Sequence, residues 1–393
     1  GYGTYTNTIG NGPGQVRWEN NGGGFAAKDG KLTVSLTPQG GAAGDPLTWN
    51  NGNTGFNSKH LHMGHYFADN VVEITNDIAL AGNRSVYAFD NPNSDQDVAR
   101  LSGVISGAGN TLTKQAHGNN DWSYLHAGTL ELTNLDNSYG NTDINGGALR
   151  IVIDNNADFA TDPIDTGMLD DDDSLGTGRI RFYSDRRDQP VVIEAAGLFE
   201  RQIGSGVDAN GRGQIYWESN DNNRRGGGFA AFGGPLTVTL HPGSDINSTN
   251  LTWHGDFEGF GDQSNVRLHL GSYSANDVVT LTNNIEGSGQ TRDIVAYDNP
   301  FSTADRAVIS GDMNNFHDLE IRGPGELTLS GNLTDMRYLH VTGQTVNQAL
   351  WGPQLIIDGD YTDANNEYLE IHGGGHITVL GDVDIMRRAR IGN

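Results

Sequence analysis

One block of sequence is written twice in this chain, in the same order both times, and that repetition restricts the fold more than any other feature. GGGFAA at Gly22–Ala27 returns at Gly226–Ala231, and each copy runs into a short β-prone stretch, LTVSL at Leu32–Leu36 and LTVTL at Leu236–Leu240. LTW at Leu47–Trp49 then corresponds to Leu251–Trp253, DNVVEITNDI at Asp69–Ile78 to NDVVTLTNNI at Asn276–Ile285, and VYAFDNP at Val86–Pro92 to IVAYDNP at Ile294–Pro300. The spacing drifts by only a few residues, as it does when insertions fall in loops. A period of roughly two hundred residues points to an array rather than to a set of unrelated globular domains.

Within each copy the apolar residues alternate: Leu130 and Leu132, Ile151 and Ile153, Ile180 and Phe182, Leu268 and Leu270, Leu327 and Leu329, Ile377 and Val379. Period two over a few residues, bounded by Gly, Asn and Asp, predicts many short strands, and no amphipathic helix is evident. Glycine supplies 56 of 393 residues. The strand-like runs between these glycines exclude collagen and disorder, so glycine punctuates strands here.

Several all-β architectures share this strand spacing. A sandwich would need separate cores with linkers, yet the junction between copies, Ile203–Ile215, is a short glycine-rich loop. A propeller needs a blade period of roughly 40 to 50 residues, far shorter than the one seen. A parallel β-solenoid remains, with Val, Leu and Ile stacked inward and Asn, Gly and Asp at the bends, where positive φ is tolerated.

One stretch carries a specific resemblance. GTLELTNLDNSYGNTDINGGALRI at Gly128–Ile151 resembles the autotransporter-associated β-strand repeat through Gly128, Thr129, Leu130, Leu132, Asn137, Tyr139, Thr142, Ile144, Gly146, Gly147, Leu149 and Ile151. The second copy keeps GELTLSG at Gly325–Gly331 but replaces the N-x-Y-x-G turn with NLTDMRY. The resemblance implies a right-handed parallel β-solenoid (β-helix) on a single axis, exposed at a bacterial surface or secreted, and implies no reaction. The expected organisation is an N-terminal segment at 1–11, with a role as an inter-subunit strand, one solenoid module at 12–204 and a second, shorter one at 205–393.

The chain carries 24 Lys and Arg against 49 Asp and Glu, a formal charge of −25, which disfavours nucleic acid and anionic membranes as partners. The absence of cysteine removes disulfides and thiolate chemistry. No apolar run is long enough to cross a membrane as a helix.

Residues with chemical capacity each carry a plain structural reading beside the functional one. Asn91, Asn93, Asp95 and Asp97 alternate as calcium ligands do, but Asp298–Asp305 lacks the middle oxygen carriers, and an Asn/Asp-rich turn is the preferred reading. The acidic run Asp170–Asp173 reads as a solvated loop or an ion site. His60, His62 and His65 suggest a metal, yet only His269, opposite His62, recurs in the second copy. Trp18, Trp49, Trp217 and Trp253 suit sugar stacking, though recurrence at fixed module positions favours packing. Arg186, Arg187 and Asp188 form a compact mixed cluster, a second basic stretch lies at Arg387–Arg390, and Asn83, Asn247, Asn250 and Asn332 match the glycosylation acceptor pattern.

The related seams IGN at Ile9–Asn11, IGS at Ile203–Ser205 and IGN at Ile391–Asn393 suggest an array that continues, through peptide bonds or by end-to-end stacking of chains. In the stacked case Gly1–Thr8 lies along a neighbouring subunit as an added strand. The expected function is therefore structural: an extracellular or cell-surface stalk or filament subunit assembling head to tail with itself, with a surface glycan as adhesive partner. The alternative is a polysaccharide-binding or polysaccharide-cleaving β-helix. No catalytic, cofactor or metal residues are assigned, and calcium is the one ion left open.

Overall fold

A computed structural model of the chain describes residues 1–18, 21–49, 56–115, 127–154, 172–183, 189–208, 213–218, 226–243, 245, 247–253, 266–346, 349–363, 368–385 and 389–391. The described residues are strand, turn and bend, with no helix among them. The chain divides into two compact units, Gly1–Arg181 with Gly206–Gln214, and Phe182–Ser205 with Ile215–Asn393. Each is a parallel β-solenoid, the all-β class the alternating pattern implies.

In the first unit the chain makes three short strands per turn and then repeats them. Val72–Ile74, Ile78–Leu80 and Arg84–Ala88 are followed by Ala99–Leu101, Ile105–Gly107 and Leu112–Gln115, each pairing in parallel with its predecessor. Because strands neighbour one another at about 4.8 Å, equivalent side chains stack in columns. One column runs Val34, Ile74, Leu101, Leu132, Ile151, every member buried. A second runs Leu61, Val86, Lys114, Ile144, placing a lysine among aliphatic neighbours.

The second unit repeats the scheme. Its columns include Val238, Leu281, Ile309, Leu329 and Ile357 on one face, and Leu268, Ile294, Ile321 and Val341 on another, all buried. Burial of each such side chain contributes about 1.5–3 kcal/mol. In register the position of Lys114 is taken by Ile321.

Why GGGFAA is repeated follows from backbone proximity. The middle of the motif lies so close to the next strand that a Cβ at Gly24 would overlap the His62 carbonyl oxygen, and one at Gly228 the His269 carbonyl oxygen. Only glycine permits that approach. Gly147, in the stretch resembling the autotransporter-associated repeat, combines φ +70° with a side-chain direction filled by Lys114 Nζ and the Gly128 carbonyl oxygen.

The seams also fold alike. Ile9 bridges Val16 and Ile203 bridges Ile215, both in parallel, with Gly10 and Gly204 donating backbone hydrogen bonds to Val16 and Ile215 at 2.8 and 2.9 Å. Gly3–Ile9 pairs with Leu32–Pro38 of its own chain, as Gly197–Gln202 pairs with Leu236–His241. The N-terminal segment therefore has at least one edge occupied within the chain.

Candidate functional site

Titratable side chains gather in a row on one sheet face of the second unit. Parallel register aligns Arg267, Asp293, Glu320, His340 and Glu370 on successive strands, so that one row carries the sequence cation, anion, anion, imidazole, anion. Stacking like charges at strand spacing costs free energy unless cations intervene. Arg267 Nε donates to Asp293 Oδ2 at 3.0 Å, and Arg322 lies 3.5 Å from the same oxygen while its Nε donates to Glu320 Oε2 at 3.0 Å.

Farther along the row imidazoles stand where the arginines stood. Glu370 and His372 sit two residues apart on one strand and so share a face. His372 Nε2 lies 2.9 Å and His340 Nδ1 3.5 Å from the same oxygen, Glu370 Oε2. All three groups are half-buried, and they form the single His/carboxylate group among the described residues whose ligand atoms all fall within 4.8 Å of one another. The opposite edge of the His340 ring faces Asp318, with Nε2 4.0 Å from Oδ1, and the ring stacks on Tyr338 at 5.7 Å between centroids. Asp318 in turn accepts from Thr291 Oγ1 at 2.8 Å and lies 3.2 Å from His317 Nδ1.

The sequence contains half of this signal. E-x-H at Glu370–His372 in a strand-like run places two ligand-type side chains on one face, but His340 joins them only through the register of two strands that have others between them in sequence. KHLHMGH attracts attention more readily, and its histidines face aromatic rings instead. His60 and His62 lie edge-on to Tyr87 at 4.9 and 5.2 Å, and His65 lies against Phe67 at 5.5 Å. Burial, then the nearby Lys59 charge, lowers the pKa of His60. His269, the counterpart of His62, is fully buried against Tyr297, and burial followed by the Arg267 charge pushes its pKa down to about 3, so it is neutral.

The DNP turns have the same geometry in both copies. Asn91 N donates to Asp97 Oδ2 at 2.6 Å and Asn91 Nδ2 to the Ala68 carbonyl at 2.6 Å; Asn299 makes the corresponding bonds to Asp305 and Ala275 at 2.6 and 2.7 Å. The second copy has Phe301 and Thr303 where the first has Asn93 and Asp95, so the turn forms without the alternating oxygens. Asp298, Asp305, Arg306 and Glu326 line a cleft of about 130 Å³ beside this turn. That is below the roughly 300–1,000 Å³ of ordinary ligand pockets.

Trp18, Trp49, Trp217 and Trp253 are all buried, which places the recurring indoles in the core rather than on a sugar-stacking surface. Of the acidic run, Asp172–Asp173 forms a short antiparallel pairing with Ile153–Asp154, and Asp173 Oδ1 accepts from Leu175 N at 2.8 Å; residues 170 and 171 lie outside the described residues. Arg186, Arg187 and Asp188 also lie outside them, as do 387 and 388 of the basic stretch. The acceptor asparagines Asn83, Asn247, Asn250 and Asn332 are all exposed.

Two duplicated polar roles had no sequence signal beyond recurrence. Asn76 makes a two-bond clamp with the backbone N–H and carbonyl of Leu36, both at 2.7 Å, and Asn283 clamps Leu240 at 2.9 and 2.6 Å. Arg84 and Arg292 each donate to a tryptophan carbonyl oxygen, Trp49 at 2.8 Å and Trp253 at 2.7 Å. No protein-family model, no curated protein and no solved structure matches the chain.

Proposed function

We propose that the chain is a non-catalytic structural protein of the cell exterior, a β-solenoid serving as a stalk or filament subunit that associates with further copies of itself along the solenoid axis. The observation that carries this reading is what the two copies have in common. Asn76 and Asn283, Arg84 and Arg292, and Asn91 and Asn299 all use their side chains on backbone atoms of the coil, while the paired tryptophans fill the core. The polar chemistry that the two copies share at these positions supports the scaffold.

Three further points support it. Gly128–Ile151 resembles the autotransporter-associated β-strand repeat, and its matched residues Leu130, Leu132, Tyr139, Ile144, Leu149 and Ile151 are buried packing residues. The formal charge of −25 favours a soluble surface over adhesion to anionic polymers. Among the described residues no helix is long and apolar enough to cross a membrane.

Electron microscopy of the purified chain tests the proposal. Filaments with a regular axial repeat are the expected outcome, and monodisperse short particles across a concentration series would sink the self-associating part of it. Turnover of a polysaccharide in a panel assay would overturn the non-catalytic part.

A further inference from the structure

We propose that His340, Glu370 and His372 form a binding site for a divalent transition-metal ion of the zinc type. Two imidazole nitrogens and one carboxylate oxygen suit zinc, copper or nickel rather than calcium or magnesium, which prefer all-oxygen shells. Zinc binds such ligands at about 2.0–2.2 Å, which brings tetrahedral donors to within roughly 3.5 Å of one another. His340 Nδ1 and His372 Nε2 already lie 3.5 and 2.9 Å from Glu370 Oε2, and the three ligand atoms span no more than 4.8 Å. Small side-chain rotations close the site.

Two features make this more than a chance meeting of exposed groups. The ligands come from adjacent paired strands, with His340 directly opposite Glu370 and His372 directly opposite Thr342, so the parallel ladder fixes their separation. The ring nitrogen of His340 that faces away from Glu370 points toward the Asp318 carboxylate at 4.0 Å, and that carboxylate is itself held by Thr291. At 4.0 Å the two are not hydrogen-bonded, but the carboxylate stands on the side of the ring from which a metal-bound histidine takes its supporting hydrogen bond. Three protein ligands leave a fourth tetrahedral position for water or for a donor from another molecule.

Zinc chloride titrated calorimetrically into the full chain, with and without substitution, decides the matter. One site per chain is expected, weakened at least tenfold by Glu370→Gln and by His372→Gln, and unchanged by His60→Gln, which removes an imidazole from the other histidine cluster. Saturating zinc should raise the melting temperature of the parent chain but not of Glu370→Gln. Cobalt(II) in place of zinc should give visible ligand-field bands that both site variants lose. Should His372→Gln fold poorly by circular dichroism, His340→Asn provides the same comparison. Absence of binding at millimolar zinc, or affinity that survives both Glu370→Gln and His340→Asn, would overturn the assignment.

Discussion

Arg292, fully buried, donates a hydrogen bond from Nη2 to the carbonyl oxygen of Trp253 at 2.7 Å, and Trp253 is itself fully buried. In the first copy Arg84 donates to the Trp49 carbonyl oxygen from Nε, at 2.8 Å. Burial lowers the pKa of Arg292 to about 10, so the guanidinium stays charged at neutral pH, and the bond to the carbonyl is charge-assisted. Arg292→Met keeps the volume and leaves the Trp253 carbonyl without this donor. Loss of a charge-assisted bond to a buried acceptor costs about 1.5–3 kcal/mol. Urea denaturation followed by tryptophan fluorescence should show that loss, whereas an unchanged midpoint would assign the stability of this corner to the indole alone.

A single methyl group tests the glycine motif. Ala has little more bulk than Gly, but at position 228 its Cβ would fall on the His269 carbonyl oxygen, a backbone atom that cannot swing aside. Gly228→Ala should therefore cost at least the roughly 1–3 kcal/mol of an overpacked core. Gly233→Ala is the control for space, since nothing stands within 4 Å of its added Cβ, although its φ of +78° carries a smaller strain of its own. Thermal melts of the two variants should differ by several degrees, the position 228 variant being the less stable.

Asp97 makes the first unit sensitive to alkali. Burial, reinforced by the Asp90 charge, pushes its pKa up to about 8, while an unfolded aspartate titrates near 3.9. The folded state holds the proton more tightly, so this group's contribution is complete below about pH 4 and is lost as pH rises toward 8. Asp97→Asn retains an oxygen to accept from Asn91 N and removes the titration. The melting temperature of the variant should fall less than that of the parent between pH 4 and 8; parallel curves would exclude Asp97 as the source.

Much of the fold was legible because β-solenoid periodicity is local. Alternation at Leu130 and Leu132, or at Leu327 and Leu329, marks inward positions from two or three residues at a time, and turn residues mark the bends between them. Recurrence then identified the indoles as packing residues. The zinc-type cluster was not legible for the opposite reason: His340 meets Glu370 through strand register, and register is decided by how many residues each loop inserts. Lys114 stands two residues from Leu112 in L-T-K-Q and so shares its inward face, which puts a lysine in the column between Val86 and Ile144.

That column sets up the last prediction. Lys114 stands between Val86 and Ile144, is buried, donates from Nζ to the Gly146 carbonyl oxygen at 2.6 Å, and has Asp90 as its nearby counter-charge. Burial pushes its pKa down to about 7 against an unfolded value near 10.4. The folded state therefore binds this proton less tightly, and the group makes stability rise as pH climbs from 7 toward 10.4, opposite in sign to Asp97. The corresponding position of the second copy is Ile321, fully buried, so an aliphatic side chain fits the column in a coil of the same design. Lys114→Ile should flatten the alkaline limb of the stability profile. It should also raise the Asp90 pKa above its present value of about 6, because burial keeps pushing upward once the Lys114 charge that pulls it down is gone. Carboxyl chemical shifts followed by NMR through the titration read that movement directly, and an Asp90 titration at the parent's pH would show that the two charges do not interact.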